Sequence, residues 1–123
     1  MNKRNIILIG MPGAGKSSVG VILAKVLGYE FIDTDLVIQH REKRLLREII
    51  ADEGNEGFLA IENEVNATLE ADKSVIAPGG SAIYGKEAME HFKEIGTIVY
   101  LKLSYEDLAK RLGNLKGRGV VLK

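Results

Sequence analysis

Residues 10–17 read Gly10-Met11-Pro12-Gly13-Ala14-Gly15-Lys16-Ser17 and match the pattern G-x-x-x-x-G-K-S. The stretch follows a short aliphatic run, residues 6–9, and opens a segment, Lys16 to Leu27, whose apolar residues recur at helical spacing. Glycines in such a turn let consecutive backbone N–H groups point at phosphate oxygens, and the helix N-terminus adds a positive dipole. The stretch therefore predicts a Walker A phosphate-binding loop between a first strand and a first helix.

This loop predicts that the chain binds ATP together with Mg²⁺. Lys16 is expected to reach the β- and γ-phosphates, and the Ser17 hydroxyl to ligate the metal ion. We expect the whole nucleotide-binding set to be Gly13, Ala14, Gly15, Lys16, Ser17 and Ser18. A dinucleotide fingerprint, G-x-G-x-x-G, is the nearest alternative, but Ser18 stands where its last glycine belongs and the Lys-Ser pair would have no role. An incidental glycine-rich turn is disfavoured because all fixed positions and both flanks agree.

Strand-like and helix-like segments alternate along the rest of the chain. Strands are predicted at 6–9, 29–32, 74–77 and 97–103, and helices at 16–27, 36–50, 58–69, 86–92 and 104–112, with Gly54 and Gly57 breaking the helical pattern. Such alternation is typical of a parallel sheet with right-handed crossovers. The predicted fold class is α/β: a three-layer α/β/α sandwich with a parallel sheet, the P-loop kinase fold.

Composition limits the possible functions and partners. The 123 residues fit a single small-molecule kinase domain, 1–123, and because a fold of this type normally continues beyond a glycine-rich end loop we expect a C-terminal portion to be missing. Lys+Arg and Asp+Glu both number 17, which argues against a nucleic-acid partner. No run approaches the roughly twenty apolar residues of a membrane span. We expect a cytoplasmic monomer without a membrane partner, acting on a small molecule.

Two carboxylates follow the second predicted strand, at Asp33 and Asp35. Ligands of doubly wound sheets bind at this carboxyl edge, so one carboxylate can help hold Mg²⁺ while the other accepts a proton from an acceptor hydroxyl. The alternative is that these aspartates cap the next helix. The catalytic hypothesis is favoured because neither residues 75–77 nor residues 98–101 end in an acid that could serve the metal ion.

Three weaker signals remain. Pro78-Gly79-Gly80-Ser81 follows the third strand and predicts either close backbone approach to a substrate or an ordinary turn. Arg118, in the glycine-rich end loop, predicts either a lid residue that stabilises transition-state charge or a surface arginine. His40 and His91 have no metal-ligand spacing and are expected to be solvated.

With these residues in view, the chain resembles the shikimate kinase family, within the nucleoside monophosphate kinase-like group. The resemblance rests on the phosphate loop, Asp33-Thr34-Asp35, Gly54…Phe58…Glu62, Gly79-Gly80 and Arg118. It implies transfer of the γ-phosphate of ATP to shikimate, giving 3-phosphoshikimate and ADP in aromatic amino-acid biosynthesis. It further implies that Lys16, Asp35 and Arg118 are catalytic, that Ser17 and Asp33 serve Mg²⁺, and that Asp35, Glu62, Gly79 and Gly80 bind substrate.

The sequence also departs from the family pattern. Leu59 stands where the family has an arginine for the shikimate carboxylate, Ser81 replaces a third glycine, and Gly119 replaces a lid proline. Leucine cannot form the bidentate pair that arginine forms with a carboxylate. Three functions therefore stay open: a shikimate kinase with an altered acid pocket, a kinase for another hydroxylated metabolite, or a lapsed nucleotide-binding module. A GTPase switch is excluded because no Asn-Lys-x-Asp guanine reader is present.

Overall fold

The computed structural model describes residues 4–10 and 16–101. Within these ranges, strands and helices alternate as predicted. The elements are β1 (Asn5–Gly10), α1 (Lys16–Leu27), β2 (Glu30–Asp33), α2 (Thr34–Glu42), α3 (Leu46–Ala67), β3 (Ser74–Ala77), a short 3₁₀ helix (Ala82–Tyr84), α4 (Lys86–Ile95) and β4 (Gly96–Leu101). The predicted helix at 104–112 and the end loop at 113–123 lie outside the described residues.

The four described strands form one parallel sheet in the order β2-β3-β1-β4. Ile7 of β1 lies opposite Ile76 of β3, and Asp33 at the end of β2 lies opposite Ala77 at the end of β3. The carboxyl ends of these three strands therefore meet at one edge, where the phosphate loop leaves β1. The predicted parallel sheet is confirmed.

Helices cover both faces of the sheet, which confirms the predicted three layers. Successive residues of a strand point to opposite faces. Ile7 and Ile9 accordingly pack with Phe92 of α4, while Leu8 packs with Ala24 of α1. A strand covered on both sides needs an unbroken aliphatic run rather than an alternating one, and β1 has that composition.

The predicted single helix from residue 36 to residue 50 is wrong. Helix α2 ends at Glu42 because Lys43 adopts the left-handed conformation, with φ 55°, and its N–H bonds the carbonyl of Gln39. Helix α3 then begins at Leu46, whose N–H donates to the Gln39 side chain at 3.0 Å. No glycine or proline marks this break, so the helical pattern concealed it.

The predicted break at Gly57 is also wrong, since α3 runs through this residue to Ala67. Gly54 does interrupt the helical geometry, with φ 74° and ψ 175°, and kinks α3. An L-residue with a side chain is strained at this φ, which explains the glycine. A buried cluster joins α2 to both halves of α3 and consists of Ile38, Ile49 and Val65.

Within the described residues, no helix combines the length and apolar character required to cross a bilayer.

Candidate active site

The Asp33-Thr34-Asp35 element begins α2 at the carboxyl edge of the sheet. Oδ1 of Asp33 accepts a hydrogen bond of 2.9 Å from the backbone N–H of Asp35, so Asp33 is the N-cap of the helix. The capping role that the sequence allowed is therefore observed. A carboxylate can accept through both oxygens, so capping by one oxygen is compatible with metal binding through the other.

Asp35, Glu62 and Gly79 converge at this edge. A β-carbon added to Gly79 would lie 2.9 Å from Oδ1 of Asp35 and 3.0 Å from Oε2 of Glu62. Such contacts are closer than side-chain carbons normally tolerate, so the backbone at 79 and the two carboxyl groups are in direct proximity. The structure thus brings together three of the four residues that the sequence predicted for substrate binding.

Gly80, the fourth, is exposed, and no atom lies within 4 Å of the position its β-carbon would take. In the turn after β3, Gly79 is therefore closely surrounded by side chains, whereas Gly80 has free space around its α-carbon. The turn is stabilised by a hydrogen bond of 3.0 Å from the N–H of Ala82 to the carbonyl of Gly79.

Glu62 is a buried acid, with 2% of its surface exposed. Its Oε1 accepts a 2.7 Å hydrogen bond from the Ser81 hydroxyl, whereas Oε2 has no hydrogen-bond partner among the described residues. Burial raises the pKa of Glu62, and the nearby negative charge of Asp35 raises it further, while the Ser81 bond acts in the opposite direction. Glu62 therefore holds a proton more readily than an ordinary glutamate, and it does so beside Asp35.

A pocket of about 290 Å³ adjoins the Glu62–Ser81 pair. It lies between α3, the 3₁₀ helix and the start of α4, and is lined by Leu59, Ala60, Asn63, Ser81, Tyr84, Gly85, Lys86 and Glu87. Leu59 and Tyr84 provide apolar surface, and Lys86 is the one cationic residue in this described lining. The pocket has the dimensions of a small-metabolite site and little positive charge.

The nucleotide side of the site is described only in part. Ser17 and Ser18 are exposed on the first turn of α1, directly beyond the carboxyl edge. A hydroxyl at this position and the Asp33 carboxylate are oxygen ligands that suit Mg²⁺, which commonly takes one or two protein groups besides phosphate oxygens. Gly13, Ala14, Gly15, the Lys16 side chain and Arg118 lie outside the described residues.

Sequence reasoning missed two residues of the site. Ser81 was noted as the last residue of the turn after the third strand and as a departure from a glycine, but no side-chain role was predicted for it, yet its hydroxyl donates to Glu62. Asn63 was not considered, yet it contacts the start of α4 through Ala88 and Glu87. One sequence signal could have pointed to Asn63. Helix α4 begins after Gly85, which has no side chain to cap it, so a residue from another element is needed to accept a first-turn N–H.

A parallel sheet in this strand order, with a Walker A motif between β1 and α1, defines the P-loop kinase fold class. Comparison with known proteins narrows the class. Residues 12–123 match the family model described as "Shikimate kinase". The chain therefore belongs to the shikimate kinase family.

Individual relatives agree with the family match. Shikimate kinase 2 of Yersinia pseudotuberculosis is 38% identical over 109 residues, which cover 89% of this chain and 63% of that protein. The chain thus spans less than two thirds of this relative's length.

Solved structures of two shikimate kinases are similar in backbone. The Acinetobacter baumannii enzyme, in complex with shikimate, aligns with a TM-score of 0.74 and 37% identity, covering 83% of this chain and 57% of that one. The Aquifex aeolicus enzyme gives 0.70 and 33%, with coverages of 83% and 61%.

Proposed function

We propose that this protein transfers the γ-phosphate of ATP to a hydroxyl group of shikimate, releasing 3-phosphoshikimate and ADP. The observation that carries the proposal is the convergence of Asp35, Glu62 and Gly79 at the sheet edge where the phosphate loop begins. Family membership supports it, as does the backbone similarity to a kinase solved with shikimate. The reaction belongs to aromatic amino-acid biosynthesis.

In this proposal the nucleotide is held by Gly13, Ala14, Gly15, Lys16, Ser17 and Ser18. Lys16 neutralises the β- and γ-phosphates, and Ser17 with Asp33 holds Mg²⁺, which offsets phosphate charge when bound. Asp35 accepts the proton of the attacking hydroxyl, and Arg118 stabilises the charge that develops on the transferred group. These roles assign each catalytic residue a task that its side-chain chemistry can perform.

The acceptor is held by Asp35, Glu62, Gly79 and Gly80. Glu62 and Asp35 both lie close to the backbone of Gly79. The raised pKa of Glu62 favours a protonated carboxyl, which can donate a hydrogen bond. Asp35 lies in the first turn of α2, at the carboxyl edge of the sheet. A carboxyl with a raised pKa beside a second carboxyl offers both hydrogen-bond donation and acceptance, which matches an acceptor that carries several hydroxyl groups.

The proposed setting is a monomer in the cytoplasm, acting on a small molecule without a nucleic-acid or membrane partner. Equal numbers of acidic and basic residues support the absence of a nucleic-acid partner.

Leu59 favours a second candidate, a kinase for another hydroxylated metabolite. Leu59 lines the pocket beside Ser81 and contributes apolar surface where a carboxylate would need a cation. An acceptor that turns an uncharged group towards Leu59 fits this wall better than an acid does.

The test is ADP release from ATP and Mg²⁺ with and without shikimate. We expect strong stimulation by shikimate and weak turnover without it. ATP binding without any stimulation by shikimate would contradict the first candidate, and stimulation by an uncharged polyol instead would favour the second.

A further inference from the structure

Two consecutive residues of α3 hold the two ends of the segment that connects β3 to α4. We call residues 79–85 the connecting segment. At its beginning, Ser81 donates to Oε1 of Glu62 at 2.7 Å. Just beyond its end, the neighbouring residue Asn63 bonds Glu87 and Ala88 in the first turn of α4. The segment is thus held against α3 near its beginning and just beyond its end.

Asn63 makes both of its side-chain contacts within that first turn. Its Oδ1 accepts a 3.0 Å bond from the backbone N–H of Ala88, and its Nδ2 donates a 2.8 Å bond to Oε2 of Glu87. An N–H requires an acceptor and a carboxylate requires a donor, so the two partners together fix which way the amide faces. The hydrogen bond from Asn63 also lowers the pKa of Glu87, which keeps this partner ionised.

Helix α4 depends on this contact because its own N-cap cannot provide one. The N-cap is Gly85, which has no side chain to accept a first-turn N–H. Asn63 supplies that acceptor from another helix, in the role that a serine or aspartate N-cap normally has. The approach is close: a β-carbon at Gly85 would overlap the Asn63 side chain.

The contact also shapes the pocket. Asn63, Gly85 and Glu87 all line it, together with Leu59 and Ser81. If Asn63 lost its hold, the first turn of α4 and the end of the connecting segment would be free to move away from α3, and the pocket wall would shift. Ser81 and Gly79 lie on the same short segment, so the change would reach the acceptor side of the site.

We infer that Asn63 is a positioning residue for acceptor binding: it holds the first turn of α4, and with it the connecting segment that contains Gly79 and Gly80, against α3. The inference rests on the proposed function. Asn63 acts through the backbone of its neighbours, so it affects the Michaelis constant of the acceptor more than the rate of phosphate transfer.

The test is steady-state kinetics of Asn63→Ala with shikimate as the acceptor. Loss of a cap and of ordered pocket geometry is expected to raise the Michaelis constant for shikimate about tenfold, with kcat and the Michaelis constant for ATP within about twofold of wild type. The matched control is Thr68→Val, which removes a 2.8 Å hydrogen bond to the carbonyl of Glu64 at the far end of α3. We expect this control to leave the shikimate constant unchanged.

A rescue pair separates positioning from general destabilisation. Asn63→Asp keeps the acceptor for Ala88 but sets a carboxylate against Glu87, so it should raise the shikimate constant. Adding Glu87→Gln returns a donor to that contact, so the double variant should show recovery, with a lower shikimate constant than Asn63→Asp alone. The cycle also carries the test if Asn63→Ala does not fold.

The outcomes are distinguishable. A wild-type shikimate constant in Asn63→Ala, or in Asn63→Asp, would overturn the inference and leave the proposed function standing. A raised constant in Asn63→Asp without recovery in the double variant would also overturn it. Wild-type protein that binds ATP but never uses shikimate would overturn the proposed function and the inference together.

Discussion

Ser81 donates its hydroxyl to one carboxyl oxygen of Glu62 at 2.7 Å, and the other oxygen of the buried acid has no hydrogen-bond partner among the described residues. A buried carboxyl with one satisfied oxygen is more easily kept neutral than ionised. The Glu62–Ser81 pair therefore links the stability of the protein to pH.

The pH dependence of stability should change in Glu62→Gln. Because burial raises the pKa of Glu62 above its ordinary value of 4.5, the folded state retains a proton that the unfolded chain releases. Stability is thus lost as pH rises through that window, and the loss is constant above the raised pKa. The glutamine variant escapes it, so the free energy of unfolding of Glu62→Gln relative to wild type should increase from pH 4 to pH 8.

Urea unfolding across this range measures the effect, with the exposed Glu94→Gln on α4 as the control. A difference between Glu62→Gln and wild type that stays constant with pH, or grows towards acid, would contradict the assignment.

Gly79→Ala should damage the site through crowding. The new methyl group would lie 2.9 Å from Oδ1 of Asp35 and 3.0 Å from Oε2 of Glu62, so at least one carboxyl must move. Overpacking costs about 1–3 kcal/mol of stability, and because both neighbours are side-chain ends we expect the lower end of that range. The matched comparison is Gly80→Ala, where no neighbour lies within 4 Å. Thermal unfolding should show a lower Tm for the first variant and a nearly unchanged Tm for the second; equal values would refute the close approach.

Leu59→Arg should improve the use of shikimate. Leu59 lines the pocket next to Ser81, and an arginine there can form charge-assisted hydrogen bonds to a carboxylate. A charged hydrogen bond of about 1.5–3 kcal/mol corresponds to a decrease of about tenfold or more in the Michaelis constant for shikimate. Leu59→Met serves as the volume-conserving control. No improvement in the arginine variant would mean that Leu59 does not face the acceptor carboxylate.

Lys16→Ala should abolish phosphate transfer without unfolding the protein. The ammonium group is expected to neutralise phosphate charge that develops in the transition state, and no other residue of the loop is cationic. Lys25→Ala, in the last turn of the same helix, is the control and should retain turnover. Circular dichroism shows whether both variants are folded, and a folded Lys16→Ala protein with normal turnover would exclude the proposed role of Lys16.

Most of the fold follows from local pattern. The strand at 74–77 has the predicted bounds because its four residues, Ser74 to Ala77, are all buried and end at Pro78. The start of α1 was predictable from the Lys-Ser pair of the motif. The break between α2 and α3 was not, because a lysine in the left-handed conformation has no sequence signature.

Site residues were predictable where a residue of suitable chemistry directly follows a strand of the sheet. Asp35 and Gly79 follow neighbouring strands, so their proximity could be expected from a parallel sheet alone. The contacts of Ser81 and Asn63 depend on how α3 packs against the connecting segment, which no periodicity encodes. His91 shows the same limit: it was expected to be solvated, yet it is half-buried and donates through Nε2 to the carbonyl of Leu69 at 2.6 Å.

The most direct test of the account is to identify the product of a reaction containing the protein, ATP, Mg²⁺ and shikimate. Mass spectrometry should detect one shikimate monophosphate for each ADP formed. ³¹P nuclear magnetic resonance should show that the phosphate is esterified to a ring hydroxyl group. That result would support the protein as a shikimate kinase. ADP formation without a phosphorylated acceptor, or ATP bound and left intact, would contradict the account.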